Sequence, residues 1–317
     1  MKKFAIGVDI GGTNTVFGIV DGEGNVLFDG HIASPKVDDA KQFVADLANG
    51  IKELMAKNKG VEYVGIGIGA PNGNFYSGTI EHAPNLPFKG IVPFVKLMKE
   101  HFPGMDNISL TNDANAAALG EMIYGGAKGM KNFVMVTLGT GLGSGIVVNG
   151  DLLYGHDGFA GELGHITVTP EGRECGCGHF GHLETYCSAT GMVRTAFELL
   201  SHHNATKSLL ANKKFTELTS KDIFDAAKKG DEIAKTVFEI TGDILGQALA
   251  DTIHILSPEA IFLFGGPTAA GELIFNPTIE SMESHLMPIF KDKVKVLPSK
   301  LKMGTAAIVG ASALAAK

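Results

Sequence analysis

Apolar runs of two kinds divide the chain. Short runs rich in strand formers lie at Phe4–Ile10, Val61–Gly69, Ile108–Leu110, Phe133–Leu138 and Ala260–Phe264. Each stops at small and polar turn formers: GGTNT (11–15), Ala70–Gly73, Thr111–Asp113, GTGLGSG (139–145) and Gly265–Pro267. Apolar residues at helical spacing mark Ala40–Met55 (Phe43, Val44, Leu47, Ile51, Leu54, Met55) and Ile233–Leu256. Helices are also predicted over Ile91–His101, over Ala114–Tyr124 with Asn112 or Asp113 at its N-cap, and over the small-residue segment Gly304–Ala316. Pro84–Pro87 reads as a rigid irregular loop, and Ser257-Pro258 ends the longest helix.

One unit of this pattern occurs twice. FAIGVDIGGTNTVFGIVDGEGNVL and FVMVTLGTGLGSGIVVNGDLL both run strand, Gly/Thr turn, strand, polar turn, apolar segment. That is an internal duplication. No helix follows GGTNT directly, which separates it from a Walker loop or a dinucleotide fingerprint, both of which need strand, loop, then helix. Each copy would carry a phosphate-sized nest of backbone N–H groups. A nucleotide held between two facing nests accounts for glycine in both.

Composition narrows the class. At 317 residues the chain exceeds the usual single-core limit, so two domains are expected. The net charge of −7 argues against nucleic acid or an acidic membrane as the main partner. Asp9 interrupts the N-terminal apolar run too early for a signal peptide, and the apolar run 306–316 is too short for a bilayer. Cys175, Cys177 and Cys187 are an odd, clustered set, which fits reduced or metal-bound thiols in a cytoplasm.

The densest chemistry lies in Glu162–Glu184, ELGHITVTPEGRECGCGHFGHLE. Thiols, imidazoles and carboxylates all need partners when buried, so this is not a core segment. It offers a thiolate–imidazole metal site, carboxylates for a polar ligand, or both.

DIGGTNT (9–15), TNDANAAALGE (111–121), LGTGLGSGIVVNG (138–150), GELGH (161–165), ECGCGHFGHLE (174–184) and FGG (264–266) together resemble the ROK family of sugar kinases. Within it they look most like the bacterial glucokinases. The resemblance covers nearly the whole chain. It implies an actin-like ATPase (ribonuclease H-like) fold, in which two α/β domains with a duplicated core flank a cleft. The small domain would be 1–118 completed by the C-terminal helix 303–317, and the large domain 119–302. The implied activity is ATP-dependent phosphorylation of the 6-hydroxyl of a hexose, glucose first. Family members are often homodimers.

The resemblance also assigns residues. Asp113 taken alone reads as a helix N-cap. The family motif makes it the general base that accepts the hydroxyl proton. Asp9, Gly11, Gly12, Thr13, Asn14 and Thr15 would form the first phosphate turn, with Asp9 helping to hold Mg²⁺. Gly139, Thr140 and Gly141 would form the second, and Gly265 and Gly266 would approach the adenosine. Asn85, Asn112, Asp113, Glu162, His165 and Glu184 are the implied sugar contacts. Sugar hydroxyls suit carboxylates, which accept several hydrogen bonds each. His165, Cys175, Cys177 and His182 would hold a structural Zn²⁺. The family has a third Cys where this chain has His182, and His179 competes for that place. Cys187 reads as a buried apolar residue.

Alternatives remain open. The same chemistry on N-acetylmannosamine, fructose or allose shares these contacts. A sugar-sensing transcription regulator would need a helix-turn-helix, and only Met1–Lys3 precede the first strand. A zinc-stabilised protein without catalysis would not need paired phosphate turns and Asp113.

Overall fold

The computed structural model describes residues 3–202 and 207–316. Met1, Lys2 and Lys317, at the ends of the expected domains, lie outside the described residues. Contacts divide the chain into two units. One comprises 1–131, 145–161 and 299–317, and the other 132–144 and 162–298.

The first unit opens with β1 (Lys3–Ile10), β2 (Asn14–Asp21) and β3 (Val26–Ala33). β1 and β2 are the expected pair around the first glycine turn, antiparallel with Asp9 opposite Val16. The sequence pattern does not announce β3, because most of its side chains are exposed and Asp29 and Gly30 interrupt it. α1 (Ala40–Lys57) buries Phe43, Val44, Leu47, Ile51 and Leu54, as its periodicity predicts, and Asp39 caps it by accepting the Gln42 N–H. β4 (Glu62–Gly69) runs parallel to β1. The short strands β5 (Gly73–Asn74), β6 (Thr79–Glu81) and β7 (Ile91–Val92) form a separate small sheet.

The expected helix over Ile91–His101 is corrected at its start. Ile91 and Val92 are strand, and α2 covers only Phe94–His101. Pro93 is the reason: it disfavours helical backbone at the residue before it, yet is tolerated where a helix begins. β8 (Ile108–Thr111) pairs parallel with β4, and α3 (Asp113–Ile123) follows at once. The first sheet has the order β3-β2-β1-β4-β8.

The second copy begins at β9 (Phe133–Leu138), followed by β10 (Leu142–Val148) and β11 (Asp151–Leu152). Its glycine turn is shorter than expected, because the chain is already strand at Leu142 and Gly143–Gly145 lie within β10. The stretch Glu162–Glu184 contains a short 3₁₀ turn at Leu163–His165 and runs into α4 (Glu184–Cys187). Then come α5 (Ala189–His202), α6 (Ser220–Lys228), α7 (Glu232–Leu256), β12 (Ala260–Phe264), α8 (Glu272–His285) and β13 (Lys295–Pro298). β12 runs parallel to both β9 and β13. This sheet has the order β11-β10-β9-β12-β13, position for position the order of the first. The repeated order is the duplicated core of the actin-like ATPase fold.

α9 (Ala306–Ala316) returns to the first unit and lies against β1, β4 and α3. Its residues Ala311 and Ala313 have no exposed surface. Among the described residues no helix is long and apolar enough to cross a membrane.

Candidate active site

In open α/β sheets, ligands meet the carboxyl ends of parallel strands. In the first unit, register places Asp9 beside Gly69 and Gly69 beside Thr111, so the ends of β1, β4 and β8 lie in one row. Asp113 follows β8 directly and begins α3. Asn112 is the N-cap, and its side chain accepts the Asn115 N–H at 2.7 Å. That resolves the choice between the two residues and leaves the Asp113 carboxylate free of the capping role. Its Oδ1 accepts the N–H of Ala114 at 2.9 Å.

The electrostatics of this row are unusual. The Asp9 carboxyl is pushed up to about 7, first by desolvation and then by the charge of Asp113. Desolvation also raises Asp113, against the lowering effect of the Ala114 N–H. Asp113 is exposed, so a ligand can reach it. Two carboxyls that repel each other are a donor set that a divalent cation would relieve.

The first glycine turn is braced from behind. Ser34 donates its hydroxyl to the Gly11 carbonyl at 2.6 Å and its N–H to the Thr13 carbonyl at 3.0 Å. Thr15 is wholly buried and bonds the same Ser34 hydroxyl at 3.0 Å, so Thr15 braces the turn while Gly12, Thr13 and Asn14 face solvent. Ser34 lies outside every motif, so nothing in the sequence pattern points to it. Asn85 is exposed, and its backbone and Cβ lie against Gly12.

In the second unit, Thr137 of β9 pairs with Phe264 of β12, so their carboxyl ends are neighbours. Gly139–Gly141 follows one strand and Gly265-Gly266 the other. The first of these turns is closed by the Gly139 N–H donating to the Gly141 carbonyl at 2.9 Å. Gly139, Thr140 and Gly266 are exposed.

The expected metal ligands converge. One donor atom from each of His165, Cys175, Cys177 and His182 lies within 4.8 Å of all the others. The His165 and His182 Nδ1 atoms are 3.3 Å apart, Cys177 Sγ is 3.3 Å from His182 Nδ1, and Cys175 Sγ is 3.7 Å from His165 Nδ1. Zinc bonds of about 2.0–2.1 Å to nitrogen and 2.3 Å to sulfur give tetrahedral edges of about 3.3–3.8 Å, the longest between the two sulfurs. The donor set therefore fits zinc. His182 is the fourth donor, 6 % exposed, whereas His179 is exposed and outside the set. His165 uses Nδ1 here, which leaves Nε2 for another partner.

The loop that presents the thiols is tightly built. Cys175 N–H donates to the His179 carbonyl at 2.8 Å and Gly178 N–H to the Cys175 carbonyl at 2.9 Å. Arg173 anchors it, a residue that no sequence pattern singled out. Its guanidinium donates to both oxygens of Glu198, to the Thr185 and Gly191 carbonyls and to the Thr195 hydroxyl, and it stacks on Tyr186. Glu162 precedes the 3₁₀ turn, and its carbonyl accepts the His165 N–H at 3.0 Å. Glu184 accepts the Leu142 N–H at 3.0 Å. Cys187 is buried and donates to the Thr241 carbonyl, as expected of a packing residue.

The ROK family model matches residues 5–317. The chain is 38% identical over 295 residues to a glucokinase of Halalkalibacterium halodurans, covering 92% of this chain and 88% of that one. A ROK family glucokinase from Streptomyces griseus, solved with glucose and AMPPNP, superposes with a TM-score of 0.81 at 33% identity over 98% of both chains. A xylose repressor of Caldicellulosiruptor bescii is more distant, at 28% identity, and is covered over 74% of its length. With its duplicated sheets, its paired glycine turns and a family match over nearly every residue, the chain belongs to the ROK family.

Proposed function

We propose that this chain is an ATP-dependent hexose kinase that phosphorylates the 6-hydroxyl of glucose. The observation that carries the reading is the pair Asp9 and Asp113 at the ends of β1 and β8, both with raised pKa values. The likeness to glucokinases supports it, and glucokinase relatives are more similar than repressors.

Asp113 takes the proton from the sugar hydroxyl, and that oxygen attacks the γ-phosphorus of ATP while the bond to ADP breaks. A raised pKa makes Asp113 hold the accepted proton more firmly. Gly11, Gly12, Thr13 and Asn14 offer one phosphate nest, Gly139, Thr140 and Gly141 another, and Gly265 and Gly266 leave room for the adenosine. Thr15 supports the first nest through Ser34. Asp9 would hold Mg²⁺, which supplies neutralising charge for the phosphates. Asn85, Asn112, Glu162, His165 and Glu184 bind the sugar hydroxyls. His165, Cys175, Cys177 and His182 would hold a structural Zn²⁺, which fixes the His165 ring while Nε2 remains for a hydroxyl. Such a reaction belongs to the cytoplasm, where ATP is at hand and thiols stay reduced.

Initial rates with ATP across glucose, N-acetylmannosamine, fructose and allose test the reading, with glucose expected to give the highest kcat/KM. Asp113→Asn should bind glucose and fold normally while losing about 10²-fold or more in kcat. Flat rates on every sugar, or a fully active Asp113→Asn variant, would sink it.

A further inference from the structure

Leu142 is the first residue beyond the second glycine turn, and both metal-donor segments grip its backbone. Its N–H donates to Glu184 Oε2 at 3.0 Å. Glu184 stands two residues after the donor His182, whose carbonyl accepts the Thr185 N–H at 3.0 Å and the Thr185 hydroxyl at 2.8 Å. The other oxygen of Glu184 faces the thiol of Cys175 at 3.5 Å. The Leu142 carbonyl packs against the other donor segment. Gly164, the middle residue of the turn that carries His165, lies so close that a Cβ on it would run into that oxygen. The neighbouring Leu163 N–H donates to Ser144 Oγ at 3.3 Å. The turn itself is equally tight, since a Cβ on Gly141 would run into Glu184 Oε2.

We propose that the donor cluster and the second glycine turn form one coupled device, joined at Leu142. Cation binding by His165, Cys175, Cys177 and His182 and phosphate binding at Gly139–Gly141 then strengthen each other. The proposal rests on the kinase reading for the identity of the phosphate. A cation that draws the four donors to tetrahedral edges fixes 163–165 and 182–184, and with them the backbone that aims the turn. A phosphate that orders the turn fixes the same backbone from the other end. Whichever ligand binds first bears the ordering cost, so the second binds more tightly. Leu142 and Gly164 are positioning residues here, and Glu184 serves this linkage with lone pairs that leave others for a sugar hydroxyl.

The test measures Zn²⁺ affinity of the full chain by competition with a chromophoric chelator. No sugar is present, and the β,γ-imido analogue of ATP is either present or absent. The analogue should tighten Zn²⁺ by about fivefold or more, and removing Zn²⁺ should weaken the analogue by the same factor. Ser144→Ala removes the bond from Leu163 and lies outside the proposed phosphate contacts. It should shrink that factor while both ligands still bind. If both bind but neither changes the other's affinity, the coupling is overturned. Failure to take up Zn²⁺ overturns the metal assignment, failure to bind the analogue overturns the nucleotide assignment, and either removes this proposal with it.

Discussion

At the scale of single residues, Asp9 makes the most direct claim on experiment. Its carboxyl titrates at about 7 against an ordinary value of 3.8, because burial and the Asp113 charge both oppose ionisation. The folded chain therefore binds a proton that the unfolded chain has released. That contribution to stability is complete below about pH 4 and is lost as pH rises through 7. Without divalent cation or nucleotide, Asp9→Asn should melt higher than the parent at pH 8, and the difference should fade toward pH 4. A difference independent of pH would show that repulsion at this row does not govern stability. The sequence made Asp9, Asp113 and the four metal donors legible because each sits in a motif. It could not expose Ser34 or Arg173, whose roles depend on which distant backbone groups they meet. Nor could it separate the buried Thr15 from the exposed Asn14 beside it.

Elements were readable where one face is buried and the period is regular. The stripe of α1 is of that kind, and so are the apolar cores of β1, β4, β9 and β12. Strands with little buried surface escaped, as β3 did, and Pro93 moved a helix start that hydrophobic spacing alone placed three residues early. Another lesson concerns glycine. Glycine-rich stretches suggest turns near a ligand, yet two glycines within strands serve packing. A Cβ on Gly7 of β1 would run into the Ile308 carbonyl of α9, and one on Gly67 of β4 into the Ala311 carbonyl. The helix backbone rests directly on the sheet, and backbone cannot rotate away as a side chain can. Gly67→Ala should therefore destabilise the protein by about 3 kcal/mol, near the upper end for overpacking. Urea unfolding would read this, and a loss below about 1 kcal/mol would mean that α9 shifts freely on the sheet.

For the whole molecule, the duplication was the most legible feature, because the two glycine turns sit at matching places in matching runs. The shared strand order bears it out. The partition of the chain was harder to read. The chain passes between the units at 131/132, 144/145, 161/162 and 298/299, and no change of composition marks these points. Deleting residues 306–317 should strip amide protection from β1 and β4, whose face α9 covers, while β9 and β12 keep theirs. Hydrogen exchange by segment decides this, and protected β1 amides in the shortened chain would refute it.

That placement of α9 bears on how the protein is made. β1 leaves the ribosome ahead of the second unit, but the helix that covers it emerges only after the whole of that unit. Synthesis normally lets domains fold in the order they appear. Here the sheet begun first is completed last, and until then its apolar face stays open to mispairing. A premature stop within α9 would leave the second unit's sequence intact and the first unit uncovered. It would thus mark the chain for degradation although every proposed site residue had already been translated.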